Sequence, residues 1–150
     1  MAIYAGCDIP EDLYFHPERD CWVRFEADGL ATMGMTDIAQ TLAGKLIYIK
    51  FKKIGKKIKG GSPAATIESA KWVGAYVMPF DAEIVDINEA VFQKDILAAN
   101  KDPYGEAWLL KVKFDDPDMA KENMIIGDEA VDFFTKRITE EGISCFRCVD

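Results

Sequence analysis

Short runs in which apolar and polar residues alternate are the sequence feature that most constrains this chain. In LIYIKF (46–51), Ile47, Ile49 and Phe51 fall on one face. An alternation with period two is typical of a β-strand with one buried face. Because the runs are short and are separated by glycine, proline and polar residues, they indicate a β-sandwich or barrel rather than a parallel α/β sheet. Further strands are predicted at CWVRFEA (21–27), AATIESA (64–70), WVGAYVM (72–78), AEIVDIN (82–88) and AWLLKVKF (107–114).

Helical signals are few. Thr36 can cap the N-terminus of a short helix, DIAQTLA (37–43), and Gly44 can end it. The sequence therefore predicts a mostly β protein with a short helix near residues 36–43 and C-terminal helices after residue 116. The C-terminal helices are expected to begin at Asp116-Pro117 and at Asp128, with Gly142 ending the second.

A weak internal repeat points to the middle of the chain. Residues 46–58 can be laid over residues 84–96 so that the apolar positions match, although most identities do not. Alternating strands resemble one another, so chance is one explanation. The other is a quasi-twofold pair of strand–turn–strand units. Since Lys71 is the midpoint of the two copies, such a pair predicts that Lys71 lies in the hairpin that links them.

Composition excludes some classes of function. The chain has 150 residues, 49% of them hydrophobic, and a net charge of −8. These values predict one domain over residues 1–150 with a packed core, and they argue against general nucleic-acid binding. No apolar run approaches the length of a membrane span. No basic leader precedes an apolar block at the start, so we expect a cytoplasmic protein without a membrane span.

Charge is spread unevenly along the chain. Residues 45–59 contain seven lysines and no acid, whereas residues 115–150 contain ten acids against four basic residues. Both segments are consistent with solvated faces. The lysines can alternatively dock an acidic partner surface or protect an exposed strand edge.

Four motifs in order resemble the H protein of the glycine cleavage system and its lipoate-binding relatives. The resemblance covers roughly residues 14–140, and IESAKW is similar to the family's E-S-x-K lipoylation site. The four motifs are GMTDIAQTLAGKLIYI (34–49), IESAKW (67–72), DINEAV (86–91) and NKDPYGEAWLLKVK (100–113).

The resemblance implies a fold, a cofactor and a role. The fold is a lipoyl/biotinyl-type β-sandwich, a barrel-sandwich hybrid, with a C-terminal helical extension. The cofactor is lipoic acid, bound as a covalent lipoamide to Lys71. The role is that of a carrier subunit and not an enzyme, since the dithiolane exchanges electrons and groups while partner enzymes supply the catalysis. We therefore assign no catalytic residue and no metal. The flank that lipoate-attaching enzymes recognise is Glu68, Ser69, Ala70 and Trp72.

The lysine's neighbours separate this chain from other lysine-tethered carriers. Biotin carriers flank their lysine with methionines, as M-K-M, whereas Lys71 lies between Ala70 and Trp72. Lipoyl domains of 2-oxoacid dehydrogenases usually have D-K-A and are attached to a catalytic domain, for which this chain has no room. The E-S-x-K form therefore favours the H-protein branch.

Several segments depart from the usual H-protein pattern. They are FHPERDCWV (15–23), KFKKIGKK (50–57), the bulky Trp72, PFDA (79–82) and the tail GISCFRCVD. They resemble the lipoate-binding proteins of the heterodisulfide-reductase-like (sHdr) sulfur-oxidation pathway. That resemblance implies a lipoyl arm that moves sulfur-bound intermediates or electrons among the subunits of a sulfur-oxidising system.

The two pathways imply different partners. In the sulfur pathway they are an sHdr-type complex and a dihydrolipoamide dehydrogenase-like enzyme. The alternative is a glycine cleavage H protein that carries an aminomethyl group among the P, T and L proteins. Either carrier requires a lipoate ligase or lipoyl-assembly enzymes.

The cysteines and the single histidine are secondary candidates. In a cytoplasmic protein, thiols are expected rather than structural disulfides. Cys145 and Cys148 have the spacing of a redox pair, and three alternatives remain: an inert tail, a disulfide or persulfide-handling site, or a zinc site completed by Cys7 with Cys21 or His16. His16 is expected to be structural, with a role in lining a pocket for the arm as the alternative.

Overall fold

A computed structural model describes residues 1–148 of the chain. Its strands form a six-stranded sheet of order β3-β4-β5-β11-β10-β7, a three-stranded sheet of order β6-β8-β9, and an N-terminal β1-β2 hairpin. This architecture confirms the predicted mostly β sandwich. The strands are β1 (Ala2–Tyr4), β2 (Cys7–Ile9), β3 (Tyr14–His16), β4 (Cys21–Phe25), β5 (Leu30–Met35), β6 (Leu46–Phe51), β7 (Lys57–Ile58), β8 (Pro63–Ser69), β9 (Val73–Val77), β10 (Ala82–Ile87) and β11 (Leu110–Lys113).

The helices lie at the margins of the sandwich. Among residues 1–148, no helix is both long and apolar enough to cross a membrane. The helices are α1 (Asp37–Ala43), α2 (Glu89–Lys94), α3 (Ala98–Lys101), α4 (Pro117–Lys121) and α5 (Asp128–Glu141).

The caps of α1 and α4 match the sequence prediction, and that of α5 differs by one residue. The Thr36 hydroxyl accepts the Ala39 N–H, and Asp116 accepts the N–H groups at the start of α4. Asp128 was expected to cap α5 but is its first helical residue. Gly127 takes the cap position with φ 64°, a conformation that glycine adopts without strain. Asp128 therefore lies in the first turn, where a carboxylate complements the helix dipole.

The inward face of β6 also differs from its prediction. Ile49 is buried as expected, but Ile47 is 56% exposed and Leu46 is buried instead. The register between β6 and β8 shifts between Leu46 and Tyr48. Since successive side chains of a strand alternate between faces, this irregularity turns Ile47 outward.

The internal repeat holds for its first strand only. β6 and β10 are corresponding strands, but the counterpart of the turn after β6 is the helix α2, and residues 95–96, the counterpart of β7, are not a strand. Between β10 and α2, the side-chain amide of Asn88 donates to the carbonyls of Glu106 and Trp108, both at 2.8 Å. Phe92 on α2 is then buried in the core. The predicted hairpin around Lys71 nevertheless exists, between β8 and β9.

The core forms two clusters. The first fills the space between the two sheets and includes Met33, Ile67, Met78 and Ile84. The second lies between the six-stranded sheet and α5, whose Phe134 contacts Phe15 edge-on at 5.1 Å between ring centroids. The sheets are therefore held as one frame, from which the β8–β9 hairpin projects.

Candidate functional site

Lys71 lies at the tip of the β8–β9 hairpin, and its side chain is exposed. The turn is closed by a hydrogen bond of 2.8 Å from the Ser69 N–H to the Trp72 carbonyl. The Ala70 N–H donates to the Lys45 carbonyl at 3.3 Å, which ties the turn to the start of β6. Lys71 is thus presented on a short, anchored turn.

Ser69 fixes the conformation of this turn. Its hydroxyl donates to the Trp72 carbonyl at 3.3 Å and accepts the Lys71 N–H at 3.3 Å. The Ser69 side chain is buried, so its donor and acceptor are both used away from water. The serine of the E-S-x-K motif therefore shapes the turn from below.

Gly44 supplies the surface on which the Lys71 side chain rests. It ends α1 with φ 79° and ψ −164°, a region that is essentially restricted to glycine. A Cβ atom added at Gly44 would lie 2.8 Å from Cε of Lys71. The backbone conformation therefore requires glycine at this position, and a Cβ atom there would displace the Lys71 side chain.

Asn100 holds the loop that contains Gly44, a role that the sequence alone did not indicate. Its amide group donates to the Gly44 carbonyl at 2.8 Å, and its carbonyl oxygen accepts the Leu46 N–H at 3.0 Å. Asn100 is 1% exposed. It begins the motif at residues 100–113, and that motif was the signal that could have identified it. Its partners, however, are 54 and 56 residues distant in sequence.

A cleft of about 380 Å³ opens beside the hairpin. Trp72 borders it, and the indole of Trp72 packs against Gly74, where a Cβ atom would collide with the ring. The cleft's apolar wall includes Met35, Leu42 and Ile67, and charged residues 18–20 lie at its rim. The arrangement provides a partly apolar recess next to Lys71.

Glu68 lies on the outer face of the three-stranded sheet. It is directly opposite Tyr48 of β6 and Val73 of β9. Tyr48 and Val73 are 55% and 64% exposed, and Glu68 is half-buried. The predicted flanking residues therefore separate: Glu68 faces outward, Ser69 faces inward, Ala70 is exposed in the turn, and Trp72 borders the cleft.

The expectation that the cysteines are free thiols is wrong for two of them. Cys7 in β2 forms a disulfide with Cys145, with the Cα atoms 4.8 Å apart. Gly142 ends α5 with φ 64° and turns the chain back along the β1–β2 hairpin, where the Cys145 N–H donates to the Ala5 carbonyl at 3.0 Å. Cys145 therefore cannot form a disulfide with Cys148. The thiols of Cys21 and Cys148 are free.

The tail around Cys145 is held by polar contacts as well. Gln40 of α1 donates to the Phe146 carbonyl at 2.7 Å, and Arg147 donates to Asp8 at 2.6 Å and to the fully buried Asp37 at 3.4 Å. The Cys148 N–H donates to the Asn100 carbonyl at 3.0 Å. The tail thus contacts the elements that support Gly44.

The zinc alternative for these cysteines has no geometric basis. Cys7 and Cys145 are used in the disulfide. In the part of the chain that the structure describes, no three His, Cys, Asp or Glu side chains are grouped closely enough to hold a metal ion.

His16 and Cys21 lie behind the cleft, in the interior. The Glu18 N–H donates to Nδ1 of His16 at 3.2 Å, and burial, with a smaller contribution from Arg19, lowers the pKa of His16. Burial raises the pKa of the Cys21 thiol to about 12. His16 is not among the residues that line the cleft, so its structural interpretation fits better than a role at the arm.

Comparisons with known proteins agree on one family. A family model described as "Glycine cleavage H-protein" matches residues 13–137. Glycine cleavage system H protein 3 of Aquifex aeolicus is 42% identical over 149 residues, which are 97% of this chain and 92% of the relative. Probable glycine cleavage system H protein 2 of Sulfolobus acidocaldarius is 39% identical, over 98% of this chain and 99% of the relative.

A solved structure supports the fold independently. The crystal structure of a glycine cleavage system H protein from Mycobacterium marinum superimposes with a TM-score of 0.68. The match covers 90% of this chain and 100% of that chain at 22% sequence identity. At this identity the likeness establishes the β-sandwich fold.

Proposed function

The chain belongs to the glycine cleavage H-protein family, and we propose that Lys71 is the residue to which its lipoamide is attached. Proteins of this family contain a covalently attached lipoamide. The observation that supports Lys71 is its position: it is exposed at the tip of a turn that Ser69 and the Lys45 carbonyl hold from below. We further propose that residues 1–150 form one lipoyl domain.

The residues around Lys71 fit a tethered arm. Gly44 leaves space for the lysine stem, and the anchored turn gives the arm a fixed point of attachment. When bound, the lipoyl group supplies a disulfide/dithiol pair that exchanges electrons and accepts groups on sulfur. Tethering raises its effective concentration at a docked partner. The chain itself then needs no acid or base, which is why we propose a carrier subunit without catalysis of its own.

Glycine cleavage is the pathway that the comparisons favour. The relatives described above are named glycine cleavage system H proteins. We propose that the chain carries an aminomethyl group among the P, T and L proteins in the cytoplasm, after loading by a lipoate ligase or lipoyl-assembly enzymes. The interpretation as a sulfur-pathway carrier has lost one support, because Cys145 is bonded to Cys7 and cannot form a dithiol with Cys148. Trp72 and the departing segments 15–23, 50–57 and 79–82 remain in its favour.

The attachment site can be tested by intact-mass analysis. We expect a lipoate ligase and lipoate to add one lipoyl group to the wild-type chain and none to Lys71→Arg. Lys45→Arg is the matched control, since Lys45 is also exposed and adjoins the same turn. Loading of the Lys71→Arg variant, or failure of the wild type to load, would overturn the proposal.

The pathway needs a separate test on the loaded protein. Glycine decarboxylase with glycine should convert the lipoylated wild type, with mass spectrometry detecting the added aminomethyl group. An inert wild type beside an active H protein of another source would reject the glycine cleavage assignment and leave lipoyl attachment intact. Sulfur transfer to the arm by an sHdr-type complex would then become the function to examine.

A further inference from the structure

A rigid, lysine-rich turn follows β6. We call residues 52–57 the lysine turn. The Gly55 N–H donates to the Ile84 carbonyl at 2.7 Å, and the Ile84 N–H donates to the Lys56 carbonyl at 2.9 Å. A further hydrogen bond of 3.2 Å joins the Lys56 N–H to the Lys53 carbonyl. Because Ile84 is fully buried in β10, the turn is fixed to the core.

The turn presents an aliphatic side chain surrounded by cations. Ile54 is 58% exposed. Four lysines accompany it in the turn, and no ion pair to any of them is recorded within residues 1–148. An apolar residue inside a polar, solvent-accessible rim is the arrangement of a protein-binding patch.

The lysine turn is connected to Lys71 by the outer face of β6. Tyr48 and Lys50 both point outward along this strand, because each is opposite an outward residue of β8. The strand spans about 17 Å from the end near Lys71 to the end near the turn. A standard protein interface, about 800 Å² per partner, is wide enough to cover both ends.

We propose that this strip, from Lys71 along the outer face of β6 to the lysine turn, docks an enzyme that the arm serves, through an acidic surface with an apolar pocket for Ile54. The proposal rests on the carrier function proposed above. A net charge of −8 makes the strip a positive patch on a negative molecule, so a partner's carboxylates would orient the encounter. Nucleic acid fits less well, because the rest of the protein repels phosphate and the segment 45–59 contains no arginine.

The test measures kcat/KM of lipoylated variants with the P, T and L proteins between low and high salt. Lys53→Glu/Lys56→Glu reverses two charges of the turn, and Ile54→Ser removes the anchor. Lys94→Glu/Lys136→Glu is the matched control, since it changes net charge equally at two exposed lysines elsewhere. We expect the turn's double variant to lose about tenfold in kcat/KM at low salt with at least one enzyme, and to lose most of the salt dependence.

The anchor variant has a different signature. Ile54→Ser should lower kcat/KM by about fivefold to tenfold at every salt concentration, with the salt dependence unchanged. The control should stay within about twofold of the wild type. An equal loss in the control, or no loss in either turn variant with any of the three enzymes, would overturn the docking surface. The docking surface would also be overturned if the wild type bound a DNA duplex, both turn variants abolished that binding, and the enzyme rates stayed unchanged.

Failure of the proposed function gives another pattern. If the P, T and L proteins act on free lipoamide but not on the lipoylated wild type, the glycine cleavage assignment fails. If they accept the wild type and the turn variants equally, only the docking surface fails.

Discussion

Replacing Cys7 and Cys145 together with serine removes the covalent link between the N-terminal hairpin and the C-terminal tail. The bond joins residues separated by 138 positions. The chain-entropy treatment of cross-links gives about 5 kcal/mol for a loop of this length. Measured losses for native disulfides are about 2–5 kcal/mol, because the uncross-linked unfolded state is not a random coil. We therefore expect the double variant to lose about 2–5 kcal/mol.

The tail keeps its polar contacts in this variant. Arg147 still pairs with Asp8 and Asp37, and Gln40 still donates to the Phe146 carbonyl. The fold should consequently persist at lower stability, with faster amide exchange in α1 and the tail than in the β-sandwich.

Urea unfolding at 25 °C provides the assay. The oxidised wild type should have a high urea midpoint. The wild type in a thiol-free reductant and the double variant should have the same, lower midpoint. Cys148→Ser is the control and should unfold like the oxidised wild type, because Cys148 is a free thiol. The reasoning is refuted if mass spectrometry shows the bond in the wild type and its unfolding free energy still equals that of the double variant.

Three further predictions concern single residues. Gly44→Ala should lower the free energy of unfolding by about 1–3 kcal/mol and slow the loading of Lys71 by lipoate ligase. The control Gly55→Ala, also at positive φ but with no atom within 4 Å of an added Cβ, should leave the loading rate unchanged. Equal loading rates for the two variants would contradict the contact between Gly44 and Lys71. Cys21 should resist alkylation at pH 8 in the native state, because burial raises its pKa to about 12. Cys148 should react under the same conditions. Peptide mapping that finds both cysteines modified equally fast would contradict the burial of Cys21. Burial lowers the pKa of His16, so the unfolded chain takes up its proton first as pH falls below about 6.5. Stability should therefore decline from pH 7 to pH 5, and more steeply than in His16→Gln; parallel pH profiles would contradict this.

The strands and the turn that contains Lys71 could be predicted because their signals are local. The period-two alternation gave β6 and β8, and Thr36 and Gly44 gave α1 with both of its caps. The exposure of Ile47 could not be predicted in this way, since it depends on a register shift against β8. Similarly, the helix Glu89–Lys94 buries Phe92 in the core, a tertiary contact that the local pattern does not show.

Contacts between distant segments limited the prediction of the site. The Cys145–Cys148 spacing suggested a local pair, but the partner of Cys145 is at the other end of the chain. The support of Gly44 by Asn100 was hidden for the same reason, although both residues lie in recognised motifs. Sequence patterns located the hairpin that contains Lys71, whereas the tertiary structure was needed to show the contacts of Gly44 and Asn100.

Residues that match the H-protein pattern hold the Lys71 turn, whereas some of the residues that depart from it lie on the outer surface near that turn. Ser69, Gly44 and Asn100, which hold the Lys71 turn and its support, all lie within segments that match the H-protein pattern. Two of the departures lie on the outside: Trp72 borders the cleft, and residues 50–57 form the end of β6 and the lysine turn. Because a tethered cofactor needs the same point of attachment whatever enzymes it visits, the holding residues can stay fixed while the outer surface is fitted to other partners. The identity of those partners should therefore be sought in the outer face of β6 and in Trp72.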